Sequence, residues 1–366
     1  MHEDIEKVII VGLRTHNVEK SFYEDSMVEL ARLVESAGGE VVSRVDQTLR
    51  RPVSATFIGS GKLEEIGRVM EETGASTVIF DDDLKPKQAH NIESGLGKGV
   101  KIIDRSGLIL DIFATRARTR AAKIQVELAQ LKYTLPRLSG MWEHLSRQFG
   151  GAIGARGPGE TQLEIDKRTI MRRIATLKKK LEKIETQRRT QRKGRANSFR
   201  VALLGYTNAG KSTLLNKLTH AGAFAEDKLF ATLDPRTRTY RTPEGVKILF
   251  TDTVGFIRKL PHHLIESFRS TLGEATEADS LLIVADATHP AICDHLKVVD
   301  TELQRMGLSD ASKILVINKI DIVDELKLIE LEKAFPDAVF VSAKSGNGLD
   351  CLLDNILKGI PESATA

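Results

Sequence analysis

An eight-residue run, Gly205-Tyr206-Thr207-Asn208-Ala209-Gly210-Lys211-Ser212, has the spacing of a phosphate-binding loop. Its glycines let backbone N–H groups turn toward phosphate oxygens at the start of a helix. Lys211 is placed to neutralise β- and γ-oxygens, and the Ser212 hydroxyl to coordinate Mg2+. Forty residues after Ser212 stands Asp252-Thr253-Val254-Gly255. Asp252 is placed to hold the ion through water, and the Gly255 N–H to meet a γ-phosphate. Between these motifs, Phe230-Ala231-Thr232-Leu233-Asp234 lies in a polar connecting stretch from which Thr232 can close on the ion as a further ligand. Base choice is expected from Asn318-Lys319-Ile320-Asp321. The two oxygens of Asp321 match the two N–H donors on the Watson–Crick edge of guanine, whereas adenine offers a ring acceptor there and would leave the charge unpaired. Ser342-Ala343-Lys344 supplies the far side of the base pocket. The expectation is a Mg2+-dependent site that takes GTP in preference to ATP. Phe256 follows Gly255 where many enzymes of this chemistry carry a Gln that orients the attacking water. A Phe cannot do so, and hydrolysis then needs a partner or another group.

These side chains must be set at strand ends. Five apolar runs with β-branched content, at 201–204, 246–250, 281–285, 314–317 and 339–341, each lead into a turn or a motif. They predict a doubly wound α/β domain over 198–360 with its ligand at the carboxyl ends of the strands, followed by a frayed tail at 361–366. Strand-like runs at 8–11, 41–45, 77–80 and 101–103, alternating with helical patterns at 26–34 and 63–70, predict a smaller, mainly parallel α/β domain over 1–112. Within it, Gly59-Ser60-Gly61-Lys62 imitates a phosphate loop. Thr56 stands where the first glycine belongs and Leu63 where Ser or Thr is needed, so it reads as the start of a helix.

The stretch 113–197 is different in kind. Ala121, Ile124, Leu128, Leu131 and Leu135, and again Ile170, Ile174, Leu177, Leu181 and Ile184, recur at alternating spacings of three and four, each set an apolar seam on one helix. Between them a Gly-rich segment, 136–160, carries Trp142, Arg137, Arg147 and Arg156. The pattern predicts an antiparallel, coiled-coil-like helical hairpin with an irregular tip. Residues 167–200 hold fourteen Lys or Arg against Glu182 and Glu185, a local charge of +12 in a chain whose net charge is only +4. Such a block reads either as a solvated helix face or as a contact for a polyanion, nucleic acid first.

Composition excludes other classes. With 41% apolar residues the chain is an ordinary globular one, not disordered or fibrous. No apolar run approaches a membrane span, and Met1-His2-Glu3-Asp4 lacks the pattern of a signal peptide, so a cytoplasmic location is expected. Cys293 and Cys351 are too few for a disulfide framework and show no metal-ligand spacing.

Taken together these residues resemble the HflX family of translational GTPases. The resemblance runs through nearly the whole chain. It includes Ile58-Gly59-Ser60-Gly61-Lys62, Asp104-Arg105, Leu108-Ile109-Leu110-Asp111-Ile112-Phe113 and Arg116-Ala117-Arg118-Thr119-Arg120. Further along it takes in Gln125-Val126-Glu127-Leu128-Ala129-Gln130-Leu131 and Leu135-Pro136-Arg137-Leu138. Most specific are Arg156-Gly157-Pro158-Gly159-Glu160-Thr161-Gln162-Leu163-Glu164 and Asp252-Thr253-Val254-Gly255-Phe256. It implies a GTPase that binds the large ribosomal subunit, its hairpin reaching ribosomal RNA, and that splits or rescues ribosomes or acts in their biogenesis under stress, monomeric off the ribosome. Relatives in the wider superfamily imply that Asn208 can hold K+ beside the phosphates, a catalytic charge that Phe256 cannot supply. A reading from another class also stands: a non-catalytic GTP/GDP sensor that binds a protein partner through the hairpin, which salt would weaken far less than a phosphate contact.

Overall fold

The computed structural model describes residues 5–97, 99–138, 158–193, 198–219, 229–243, 245–259 and 275–360. The tip expected at 136–160, with Trp142, Arg147 and Arg156, lies largely outside the described residues, as does the tail. The chain forms two compact units: one takes in Met1–Thr115 and Lys123–Lys183, the other Arg116–Ala122, Ile184–Leu260 and Phe268–Ala366.

The first unit opens with β1 (Lys7–Thr15), α1 (Lys20–Ala37), β2 (Glu40–Leu49), α2 (Ser60–Thr73) and β3 (Thr77–Phe80). It continues through α3 (Pro86–Leu96), β4 (Lys101–Asp104) and α4 (Arg105–Arg116). The four strands form one parallel sheet in the order β2-β1-β3-β4. Val8 to Leu13 of β1 and all of β3 are buried, as continuous apolar runs with both faces covered must be. Helix α1 stops where Gly38 takes the left-handed conformation (φ 91°), its N–H bonding Glu35 O and that of Gly39 bonding Val34 O. Gly59 begins α2 with an extended φ of −70°, its N–H donating to Gln47 Oε1 at 2.9 Å, while Lys62 pairs with Glu65. The Gly59-Ser60-Gly61-Lys62 run is thus a helix start. Helix α4 runs across position 112, where the apolar pattern suggested a boundary.

Arg105, 1% exposed at the start of α4, pairs with Asp81 and Glu29, and Ser26 Oγ donates to Asp81 Oδ2 at 2.8 Å. Removing one partner of a buried ionic cluster leaves uncompensated charge. Arg105→Ala is therefore expected to cost about 3–5 kcal/mol in denaturant unfolding; a loss below 1 kcal/mol would show the cluster to be hydrated.

Helices α5 (Arg120–Thr134) and α6 (Pro158–Lys193) flank the expected tip. Glu127 accepts a forked pair from Arg173 at 2.7 and 3.0 Å. In α5 burial extends past the expected seam to Ala122, Gln125, Val126 and Ala129. In α6 only Leu177 of the seam is fully buried, with Ile170, Ile174, Leu181 and Ile184 half-buried, while Arg168, Arg172, Lys178, Lys179, Lys180 and Lys183 are exposed.

The second unit holds β5 (Phe199–Gly205), α7 (Lys211–Thr219), β6 (Arg236–Arg241), β7 (Lys247–Asp252) and β8 (Ser280–Asp286). After these come α8 (Ile292–Arg305), β9 (Lys313–Asn318), α9 (Glu325–Ala334), β10 (Val339–Phe340) and α10 (Leu349–Lys358). Its sheet has the order β10-β9-β8-β5-β7-β6, parallel except for β6 against β7. The five expected strands are present. The sixth, Arg-Thr-Arg-Thr-Tyr-Arg at the edge, has no buried residue, and its arginines and threonines suit an open rim. Apolar clusters cover both faces, one around Leu203, Phe250 and Leu352, another around Ala202, Leu281 and Leu303.

Candidate active site

Strand β5 ends at Gly205, where φ is +145° and an added Cβ would lie 2.1 Å from the Val284 carbonyl oxygen. The chain can enter the loop only with hydrogen in that place. Gly210 closes the loop at φ +91°, where a Cβ would meet Asn318 Nδ2 at 2.2 Å. From there α7 begins, and its first turn presents N–H groups that an α-helix cannot satisfy internally. Lys211, 6% exposed, lies back along the loop and donates to Gly205 O at 3.2 Å and Tyr206 O at 2.8 Å. Burial pulls its ammonium down to about 8, against the opposing charge of Asp252. Thr207, Asn208, Gly210, Lys211 and Ser212 form one wall of a pocket, Phe230, Ala231 and Thr232 a second, and Thr253 and Gly255 a third.

At its floor three oxygen side chains converge. Ser212 Oγ donates to Asp252 Oδ2 at 2.6 Å and lies 2.9 Å from Thr232 Oγ1. Asp252 is fully buried and its Oδ1 has no hydrogen-bond partner. Burial raises its pKa, with Lys211 and the two hydroxyls opposing. A buried carboxylate oxygen with an open lone pair beside two hydroxyls is a hard-oxygen donor set, the kind Mg2+ takes. Among the described residues no cluster of three or more His, Cys, Asp or Glu could hold a metal instead.

Three residues of these motifs make structural contacts. The Thr253 hydroxyl donates to Leu203 O at 2.8 Å and so ties β7 to β5. Leu233 is 2% exposed and part of the core. The Asp234 carboxylate accepts from the Arg118 and Thr119 amides, each at 3.1 Å. Of the run Phe230-Ala231-Thr232-Leu233-Asp234 expected at the nucleotide, Phe230, Ala231 and Thr232 line this pocket, while Leu233 lies in the core and Asp234 is engaged by Arg118 and Thr119.

Phe256 is turned away from the pocket into the apolar cluster of Leu281, Ile283, Val299 and Leu303. Its backbone bridges to the loop, Phe256 N donating to Gly205 O at 3.0 Å and Thr207 N to Phe256 O at 2.8 Å. The Tyr206 ring stacks on His295 at 3.6 Å, and its hydroxyl oxygen accepts from the Arg258 N–H at 2.8 Å. Burial, then His289 and Arg258, pull His295 down to about 3, so its ring is neutral. His295 and Arg258 are not visible as partners in the sequence, because no local spacing links them to Tyr206.

Asn318, 1% exposed, braces two motifs at once: Nδ2 donates to Ala209 O at 2.9 Å and Oδ1 accepts from Ala343 N at 2.9 Å. Lys319 pairs with Asp286 at 2.6 Å; burial alone would raise that carboxyl, and the bonds from Lys319 and Thr288 hold it below its usual range. Ile320 N donates to Val341 O, and Ser342 Oγ accepts from Ser345 N at 3.0 Å. Asp321 and Lys344 are exposed.

Residues 24–114, 116–195 and 200–319 match the family models described as GTP-binding GTPase N-terminal, GTP-binding GTPase Middle Region and 50S ribosome-binding GTPase. The chain is 50% identical over 325 residues to GTPase HflX of Flavobacterium psychrophilum, covering 89% of this chain and 78% of that one. It is 48% identical over 357 residues to GTPase HflX of Lacrimispora saccharolytica, covering 97% and 83%. The crystal structure of the SsGBP and GDP complex aligns over 97% of this chain and 98% of that one with a TM-score of 0.52 at 28% identity. A phosphate loop, a guanine-type motif and this likeness across all three regions agree: the chain belongs to the HflX family of GTPases, enzymes that bind guanine nucleotides and hydrolyse GTP.

Proposed function

We propose that this GTPase binds the large ribosomal subunit in its GTP form, that its basic α6 helix contacts ribosomal RNA, and that hydrolysis releases it. Its setting would be the cytoplasm, in splitting or rescue of stalled ribosomes, or in their biogenesis, under stress. The observation that carries the reading is the exposed row of Arg168, Arg172, Lys178, Lys179, Lys180 and Lys183 in a chain whose residues 200–319 match a 50S ribosome-binding GTPase model. No helix among the described residues is long and apolar enough to cross a membrane.

In the proposed reaction Ser212, Thr232 and Asp252 would hold Mg2+, which when bound neutralises charge on the phosphate oxygens. Lys211 leaves its carbonyl partners for the β- and γ-oxygens, and the Gly255 N–H donates to the γ-phosphate. Phe256 keeps its side chain out of the pocket, so water must be oriented by other groups. Asn208, held at φ +61° on the pocket wall, would hold K+ there. Hydrolysis is then expected to slow when Na+ replaces K+, and Asn208→Ala to erase the difference; equal wild-type rates in both salts remove the K+ site.

The RNA contact is tested by binding to purified large subunits over a range of salt. Phosphate contacts give a log–log slope of about −0.7 to −0.9 for each phosphate neutralised. The Lys178→Glu, Lys179→Glu, Lys180→Glu triple variant should bind at least about tenfold more weakly and show a shallower slope, with GTP affinity unchanged. Binding that ignores both salt and the triple change favours a protein partner.

A further inference from the structure

The Arg116-Ala117-Arg118-Thr119-Arg120 run has no part in nucleotide chemistry as so far described, yet Arg116–Ala122 packs with the second unit, apart in sequence from the rest of it. The reason is visible at Asp234. Its Oδ2 accepts from both the Arg118 and Thr119 amides at 3.1 Å, and its Oδ1 accepts from the Thr119 hydroxyl. Thr119 in turn caps α5, its Oγ1 accepting from Ala122 N at 3.1 Å. A carboxylate at this place also meets the positive end of the helix dipole. Asp234 is thus held by three donors, and Pro235 behind it restricts its backbone to extended conformations.

Two residues earlier in the chain is Thr232, 8% exposed, its hydroxyl 2.9 Å from Ser212 Oγ. At the other side of Thr232 the buried Phe230 sits at φ +55°. The segment that carries Thr232 is therefore short and pinned at both ends, with the start of α5 as the outer pin. We infer that Asp234 and Thr119 are positioning residues for GTP hydrolysis: their contact holds Thr232 at the metal and γ-phosphate position, and so couples the nucleotide state to the start of α5. The coupling is reciprocal, as linkage requires: whatever loosens residues 118–119 weakens the Thr232 contact, and a nucleotide that draws Thr232 in strengthens the cap on α5. This inference rests on the Mg2+ reading above but not on the ribosomal one.

The test measures affinity for a non-hydrolysable GTP analogue and for GDP, each with and without Mg2+, together with kcat and KM. In Asp234→Ala the Mg2+-dependent affinity for the analogue should fall about tenfold, within the 5–150-fold span of ordinary couplings. GDP affinity should stay within about twofold, and kcat should fall more than KM changes. Asp234→Asn, which keeps one acceptor oxygen, should recover part of the loss. Thr119→Val removes one donor and the cap acceptor at an exposed position; it should lower analogue affinity with GDP unchanged and add nothing to Asp234→Ala in the double variant. A purely structural role would weaken GDP and analogue equally, and that result, or an unchanged analogue-to-GDP ratio in both single variants, overturns the proposal. Should Asp234→Ala not fold, the ratio in Thr119→Val decides alone. A wild type whose analogue affinity ignores Mg2+ would instead refute the metal reading, since it is seen before any variant is compared.

Discussion

Gly255→Ala is expected to lower the rate of GTP hydrolysis by about 100- to 1,000-fold, the range found when one preorganised donor is lost from a transition-state site. The cause is steric. A Cβ on Gly255 would lie 2.8 Å from Thr207 Cα and 2.9 Å from both Lys211 Nζ and Thr207 Cγ2. The lysine tip can give way, but the Thr207 backbone is fixed by its bond to Phe256 O. Strand β7 and the phosphate loop must then part, and the Gly255 N–H leaves the γ-phosphate position. GDP makes no contact at that position, so its affinity should stay within a few-fold. Single-turnover hydrolysis and fluorescent GDP titration check both halves, and a variant that hydrolyses at the wild-type rate would remove Gly255 from the site.

The second large effect falls on base choice. Asp321→Asn replaces one acceptor oxygen with an amide donor facing a guanine N–H, and GTP should bind about 2–4 kcal/mol more weakly through loss of a charge-assisted, forked contact. Xanthine nucleotide, which presents an acceptor there, should gain. Asp321 is exposed, so the exchange leaves the fold intact and the comparison is clean. A variant that still prefers GTP to XTP as the wild type does would dismiss the assignment. Asn318 provides the contrast: tied to Ala209 and Ala343, its loss should weaken every nucleotide alike, without a change in base preference.

Where the backbone demands one residue type, the sequence already reveals the structure. Gly205 and Gly210 sit where a Cβ would strike Val284 O or Asn318, and Ser212 and Asp252, forty positions apart, meet at 2.6 Å as their spacing implied. Strands β1 and β3 show as unbroken apolar runs because both faces are covered. Edge strand β6 does not, since nothing buries it and its pattern carries no apolar face. Helix α5 was legible as one seam only, because a three-and-four spacing sees a single stripe whereas Gln125, Val126 and Ala129 are buried as well. Long-range partners leave no local trace at all. Nothing near Tyr206 announces His295, and nothing near Asp234 announces Thr119, so a carboxylate that motif position assigns to the nucleotide is found capping a helix start more than a hundred residues upstream.

We propose above all that the GTP-bound form engages the large ribosomal subunit. Gradient co-sedimentation of the full chain with ribosomes tests it most directly, in parallel runs with a non-hydrolysable GTP analogue, with GDP and without nucleotide. The protein should travel with the large subunit in the analogue run and remain near the top of the gradient in the other two. Equal distribution in all three runs, or sedimentation with GDP in preference to the analogue, would contradict it.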